Sequence, residues 1–271
     1  SGRPVAEEIF FAKAAAARPV LLGEKHDNAE HHRLQARVVG ALAQAGRRPA
    51  VVWEMAEPAQ EAALRDARLE DLDRLGEALD WQPRGWPAWS EYQPIAEQAL
   101  IHGLSMHPGK PSHDLVREVS RGQPPPPELA ARLDLERPYP PEMEAALLED
   151  LDESHCGRLP QAALAPMARV QRLWDAWMAD ALLRAGAARD GAVLIAGAGH
   201  VRRDRAVPWH LHRRSAAEGE VLALALVEVT AGIEDATAYS AFDAGLFDYV
   251  WFTPRVDEQD PCAALDGAAA Q

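Results

Sequence analysis

Along the chain, short apolar runs alternate with longer stretches in which apolar positions recur every three or four residues. The runs "PVLLG" (19–23), "AVVWE" (50–54), "GLSMHP" (103–108), "AVLIAGAGHV" (192–201), "VLALALVEV" (221–229) and "FDYVWFTP" (247–254) are short and aliphatic and read as strands. Helical spacing fills the gaps: residues 5–17, ended by Pro19; "HHRLQARVVGALAQA" (31–45), with Leu34, Val38 or Val39 and Leu42 as its stripe; and a charged segment over 59–79. Asp27 or Asn28 is the natural N-cap of the second helix and Gly46 its stop. The aromatic stretch "WQPRGWPAWSEYQP" (81–94) reads as a turn leading into a helix that runs to His102. Apolar strands alternating with helices predict an α/β fold, a mostly parallel central sheet with helices on both faces.

The alternation breaks once. Between the third and fourth strands, helical patterns at 112–120, 141–155 and 163–186 surround the Pro-rich, extended-looking "RGQPPPPELAARLDLERPYPP" (121–141). The expected organisation is therefore an α/β sheet domain from 1–108 and 190–256, a helical insertion subdomain over 109–189, and a disordered tail over 257–271. On the last helix Met167, Val170, Trp174, Met178 and Leu182 share a face and read as core.

Composition narrows the partners. The 271 residues are 48% hydrophobic, enough for a sizeable core, and carry 28 Lys+Arg against 42 Asp+Glu. The net charge of -14 argues against nucleic acid and anionic membrane surfaces. Cys156 and Cys262 are too few for a disulfide scaffold; they could pair in an oxidising compartment, and otherwise Cys156 reads as a small packed hydrophobe. No apolar run reaches the ~20 residues of a membrane span, and the N-terminus lacks a signal-peptide pattern. Ser1-Gly2 looks like the remnant of a tag, which leaves room for an export signal upstream.

The chemistry gathers at strand ends, where an open α/β sheet binds its ligand. Glu24 and His26 follow the first strand, Glu54 ends the second, Met106 and His107 end the third, and His200 follows the fourth. Glu24, His26, Glu54 and His200 are candidate ligands for a divalent metal, Zn, Mn, Fe or Co, with His107 as a further donor. In both "GEKH" and "GAGH" a glycine precedes the histidine by three residues and lets the backbone turn sharply off its strand. His32 and Gln35 share a helix face and could support the ligands from behind, whereas His31 reads as solvated or capping and Asp27 as a cap. His102, His113, His210 and His212 read as ordinary surface or helix-end residues. An alternative stays open, in which the strand-end groups form a hydrogen-bonded network that only stabilises the fold.

These residues carry a family resemblance. "LLGEKHDNAEHHRLQ", "VVWEMAEPAQEAAL", "WPAWSEYQPIAEQAL", "SHCGRLPQAALAPMARVQRLWDAWMADALL" and "VLIAGAGHVRRDRAVPWHL", in that order, resemble the ChaN family of haem-binding uptake proteins, within a superfamily that includes Tiki metalloproteases, the TraB group and erythromycin esterases. The resemblance implies an α/β sheet with an added helical subdomain, a place in haem or iron acquisition, and a bacterial periplasmic or outer-membrane lipoprotein. Through Tiki-like relatives it also implies that Glu24, His26, Glu54 and His200 form a divalent-metal site supporting hydrolysis. No motif ties haem ligation to a position; Tyr92, Met106, His107 and Tyr139 have the chemistry of axial ligands. "SMHPG" departs from the Asn- and Arg-containing stretch of the family after that strand.

Two functions follow. One is a binding protein that holds haem on a partly apolar surface, or between the subunits of a homodimer, with Trp86, Trp89 and Tyr92 stacking on the macrocycle unless they pack in the core. The other is a metal-dependent hydrolase in which Glu24 or Glu54 takes the proton of a metal-activated water.

Overall fold

Strands buried at every position cannot lie at an edge or face water, and the three such strands form the middle of the sheet. In the computed structural model, which describes residues 2–214, 220–243, 245–257 and 262, β1 (Val20–Glu24), β2 (Ala50–Trp53) and β4 (Ala192–Gly197) are buried throughout. β3 (Met106–Pro108), β5 (Leu222–Glu228) and β6 (Tyr249–Thr253) complete six parallel strands in the order β3-β2-β4-β1-β5-β6. This order makes β1 and β4 neighbours, with Glu24 in register with Gly197, so the loops carrying "GEKH" and "GAGH" leave the sheet side by side. β2 ends against them, the Glu54 backbone N–H donating to Ile195 O at 3.0 Å.

Alternation along each strand divides two cores. Val20, Leu22, Val51, Trp53, Val193 and Ile195 face α1 (Glu7–Ala16), α2 (Ala29–Gln44) and the segment α3 (Glu61–Asp66), α4 (Leu72–Ala78) and α5 (Trp89–Ile101). Leu21, Val52 and Leu194 face the C-terminal half of α9 (Gln161–Gly186) and α10 (Ala206–Arg214). Each aliphatic side chain buried this way contributes about 1.5–3 kcal/mol. Between the two N-cap candidates the structure selects Asn28, whose side chain accepts from the N–H groups of Glu30 and His31. Asp27 is instead exposed and ion-paired with Lys25.

The stretch 109–189 carries α6 (His113–Ser120), α7 (Pro127–Arg132), α8 (Pro141–Ser154) and α9. α7 occupies part of the stretch read as extended: Pro127 stands at its first position, where the missing N–H costs nothing. α10 was likewise not legible, with Pro208 inside its first turn. On α9, Met178 and Leu182 are core as expected, but Met167 and Val170 are only half-buried and Leu164 and Ala168 take the inner face. Cys156, after α8, is disulfide-bonded to Cys262. The rest of the expected tail, residues 258–261 and 263–271, lies outside the described residues. Among the described residues no helix is long and apolar enough to cross a membrane.

Candidate functional site

The two glycines that precede the site histidines act through close approach. A Cβ on Gly23 would lie 2.4 Å from Val201 Cγ2 and 2.9 Å from Ala198 Cα, so only glycine lets β1 meet the turn that carries His200. A Cβ on Gly197 would press on His26 Nε2 at 3.0 Å. Glu24, His26, Glu54 and His200 thereby converge. His26 Nδ1 pairs with Glu24 Oε1 at 2.9 Å, and the same oxygen accepts from the Tyr92 hydroxyl at 2.6 Å. Glu54 Oε2 accepts from Gly197 N–H at 2.7 Å. Glu54 Oε1 is 3.4 Å from His200 Nε2 and 3.8 Å from His26 Nε2. Asp175, on α9, holds His200 Nδ1 at 2.6 Å.

Burial and pairing set the charges. Burial alone would push the His200 imidazole down, but Glu54 and Asp175 outweigh it and hold it at about 10. His26 is likewise raised against its burial, by Glu24 and Glu54. Glu54, despite burial, is lowered to about 2 by His200, His26 and the Gly197 N–H. Burial raises Glu24 over the opposing pull of His26 and Tyr92, and raises Asp175 to about 6. The cluster therefore alternates acid and imidazole, with Glu24 Oε2 left without a hydrogen bond, 3.4 Å from His32 Nε2.

One side of the cluster is partly open, and we call it the mouth. The His26 side chain is 35% exposed, the most open of the set. The Trp86 ring leans on His26 at 5.1 Å, and the Trp174 ring stacks on His200 at 5.9 Å. The Lys110 ammonium lies over both indoles, 5.5 Å from the Trp86 centroid and 4.5 Å from that of Trp174. Sequence reasoning missed Asp175 and Lys110. The first had a signal, a lone acid within the apolar stripe of "RLWDAWM"; the second, two residues beyond β3, had none beyond its strand-end position.

The remaining candidates scatter. His32 is fully buried behind Glu24, stacked on Tyr92 at 3.7 Å, with Nε2 at 3.4 Å from Glu24 Oε2. Gln35 donates to Leu22 O at 3.0 Å. His31, read as solvated, is also buried, accepting from Lys25 N–H and paired with Thr253 Oγ1 at 2.7 Å. Met106 is buried, and Tyr92 is committed to Glu24. Tyr139 is buried beside His210 in a separate cluster, and His210 is itself buried rather than on the surface. Half-buried His107 bonds Ser105 Oγ at 3.0 Å on the edge strand. Trp89 donates to Leu72 O and packs in the core. Among the described residues no group of three or more His, Cys, Asp or Glu is disposed to hold a metal ion. The hydrogen bonds within the cluster already occupy most of its donors and acceptors.

Fold and site together define an α/β protein with a parallel sheet whose strand ends hold a buried histidine–carboxylate cluster under a tryptophan-walled mouth. The chain belongs to the family described as haem-binding uptake, Tiki superfamily, ChaN, whose model matches residues 10–211. Its fold is similar to that in a structure described as cofacial heme binding to ChaN of Campylobacter jejuni, with TM-score 0.70, 19% identity and 92% of each chain covered. Weaker similarities are to a succinoglycan biosynthesis protein (TM-score 0.48, 13% identity, 83% of this chain and 70% of that one) and to an erythromycin esterase mutant in its open conformation (TM-score 0.45, 16% identity, 82% and 72%). No curated protein matches the chain.

Proposed function

We propose that this chain is a haem-binding protein of an uptake route. The observation that carries the reading is the family match over residues 10–211. Haem needs a flat apolar wall and an axial donor, and the mouth supplies the first with Trp86 and Trp174. Among the donors, Tyr92, Met106 and Tyr139 are buried, whereas the imidazoles of His26 and His107 are partly open. We assign iron ligation to His26, whose Nδ1 is held by Glu24 as carboxylates hold metal-bound histidines; its Nε2 rests toward Glu54 Oε1 at 3.8 Å and has to swing outward to reach iron. Haem bound there is cargo, and the chain's task is to hold and release it. The Cys156–Cys262 disulfide supports an oxidising compartment, in keeping with a periplasmic or outer-membrane lipoprotein. Titration of micromolar protein with haemin should produce a shifted Soret band that His26→Ala abolishes and His107→Ala leaves intact. A spectrum that stays that of free haemin defeats the reading.

One observation favours a second reading. The Nε2 atoms of His26 and His200 both face Glu54 Oε1, and their Nδ1 atoms are held by Glu24 and Asp175. As placed they form no ligand group; His26, His200 and Glu54 would have to draw together, giving up the imidazole protons, to hold a divalent ion, Zn, Mn, Fe or Co, with Glu24 or Glu54 then accepting a proton from water in a hydrolysis. Calorimetry should show metal uptake with proton release, lost in Glu54→Ala and His200→Ala. Metal retained undiminished by both variants would exclude it.

A further inference from the structure

Lys110 is an ammonium without an anion. Its side chain is half-buried, and among the described residues it has no ion pair and no side-chain hydrogen bond; its contacts are the two indole faces. A lysine normally avoids this. Burial and the neighbouring Arg84 push its pKa down, against Glu57 and Glu54, while the two indole faces attract the ammonium. Glu57, the other nearby acid, is already taken by Arg84 at 2.7 Å. The Nε1 atoms of Trp86 and Trp174 are also buried without a hydrogen-bond partner. The unpaired ammonium therefore sits between two partly exposed indoles, beside the partly open His26.

We propose that Lys110, between Trp86 and Trp174, is the receptor for a carboxylate carried on a flat aromatic ring, the propionate of haem under the reading above on which this inference rests. The carboxylate takes the ammonium, and the ring packs beside the partly exposed indoles of Trp86 and Trp174. A single negative charge suits the place better than a phosphate, because Glu54 lies close enough to act on the ammonium electrostatically and would repel a dianion. Lys110 is here a specificity-determining residue: it selects acids over neutral rings of the same shape.

The test uses the intact chain with haemin and with haemin dimethyl ester, followed by Soret absorbance. Lys110→Met should weaken haemin binding about tenfold and leave the ester's affinity unchanged, Lys110→Arg should restore haemin to within about threefold, and Lys13→Met, on the exposed face of α1, should do nothing. Because lysine occurs only at 13, 25 and 110, acylation read by mass spectrometry gives an independent measure. Haemin should protect Lys110 and spare Lys13. Haemin bound equally by wild type and Lys110→Met, or an ester that follows the acid in its dependence on Lys110, overturns the inference and leaves haem binding standing. No binding of haemin by the wild type overturns both.

Discussion

His200 and His210 lie ten residues apart, on either side of the turn into α10, and both are buried. Burial pushes each imidazole toward neutrality, yet they end at opposite extremes. His200 sits between Asp175 and Glu54 and is held at about 10. His210 faces the Tyr139 hydroxyl at 3.2 Å and the charges of Arg172, Arg213 and Arg214, and is lowered to about 3. The neighbour's sign decides, not depth. The strand-end pocket keeps a cation, while the pocket around His210 keeps a neutral ring, and only the first couples a row of acids and imidazoles.

The largest break in this contrast is expected at Glu54, which serves His200, His26 and the Gly197 N–H together. Glu54→Ala strands two imidazolium groups and a backbone donor, and should cost roughly 3–5 kcal/mol in urea denaturation. Glu54→Gln, which can keep the Gly197 bond, should cost less and still drop the His200 pKa by NMR. A cost below about 1 kcal/mol for the alanine variant would show that the cluster is not a coupled unit. Next comes Asp175→Asn, which keeps shape and removes charge. It should lower the His200 pKa while the Glu54 contact remains, at roughly 1.5–3 kcal/mol.

How much of this was legible depended on where the signal lay. Register delivered the sheet: three fully apolar runs had to be central parallel strands, and Glu24, His26, Glu54 and His200 had to follow them to one edge. Which strands are neighbours was not written in any run, since β1 pairs with β4 and β5 across long separations. His31 was misread as solvated because burial of a polar ring depends on partners elsewhere, here Thr253, whereas His32 does lie behind Glu24, stacked on Tyr92. Asp175 showed only as a lone acid in the apolar stripe of α9, and nothing local to Lys110, in the loop after β3, announces a target more than twenty residues away. α7 and α10 hid behind prolines that a helix tolerates in its first turn.

The smallest effect gives the sharpest test of the contrast. His210→Phe removes a ring that is neutral in the folded protein, keeps its size against Tyr139 and Trp209, and breaks one hydrogen bond, so at neutral pH it should cost under about 1.5 kcal/mol. Its signature lies in acid. A histidine lowered to about 3 binds fewer protons folded than unfolded between pH 3 and its ordinary 6.5, so its contribution is present above 6.5 and lost as pH falls through that window. Buried His31 and His32, lowered to about 4 and about 3, act in the same direction. His210→Phe should therefore flatten the acid limb of a stability–pH curve and leave the alkaline limb alone. His200, raised to about 10, contributes fully below 6.5 and loses that contribution as pH climbs to 10, so His200→Phe should flatten the alkaline limb instead. Two imidazoles ten positions apart would then govern opposite limbs of one curve. If both variants change the same limb, the local charge of the pockets does not set their protonation, and the strand-end cluster loses its claim to be a coupled row of acids and imidazoles.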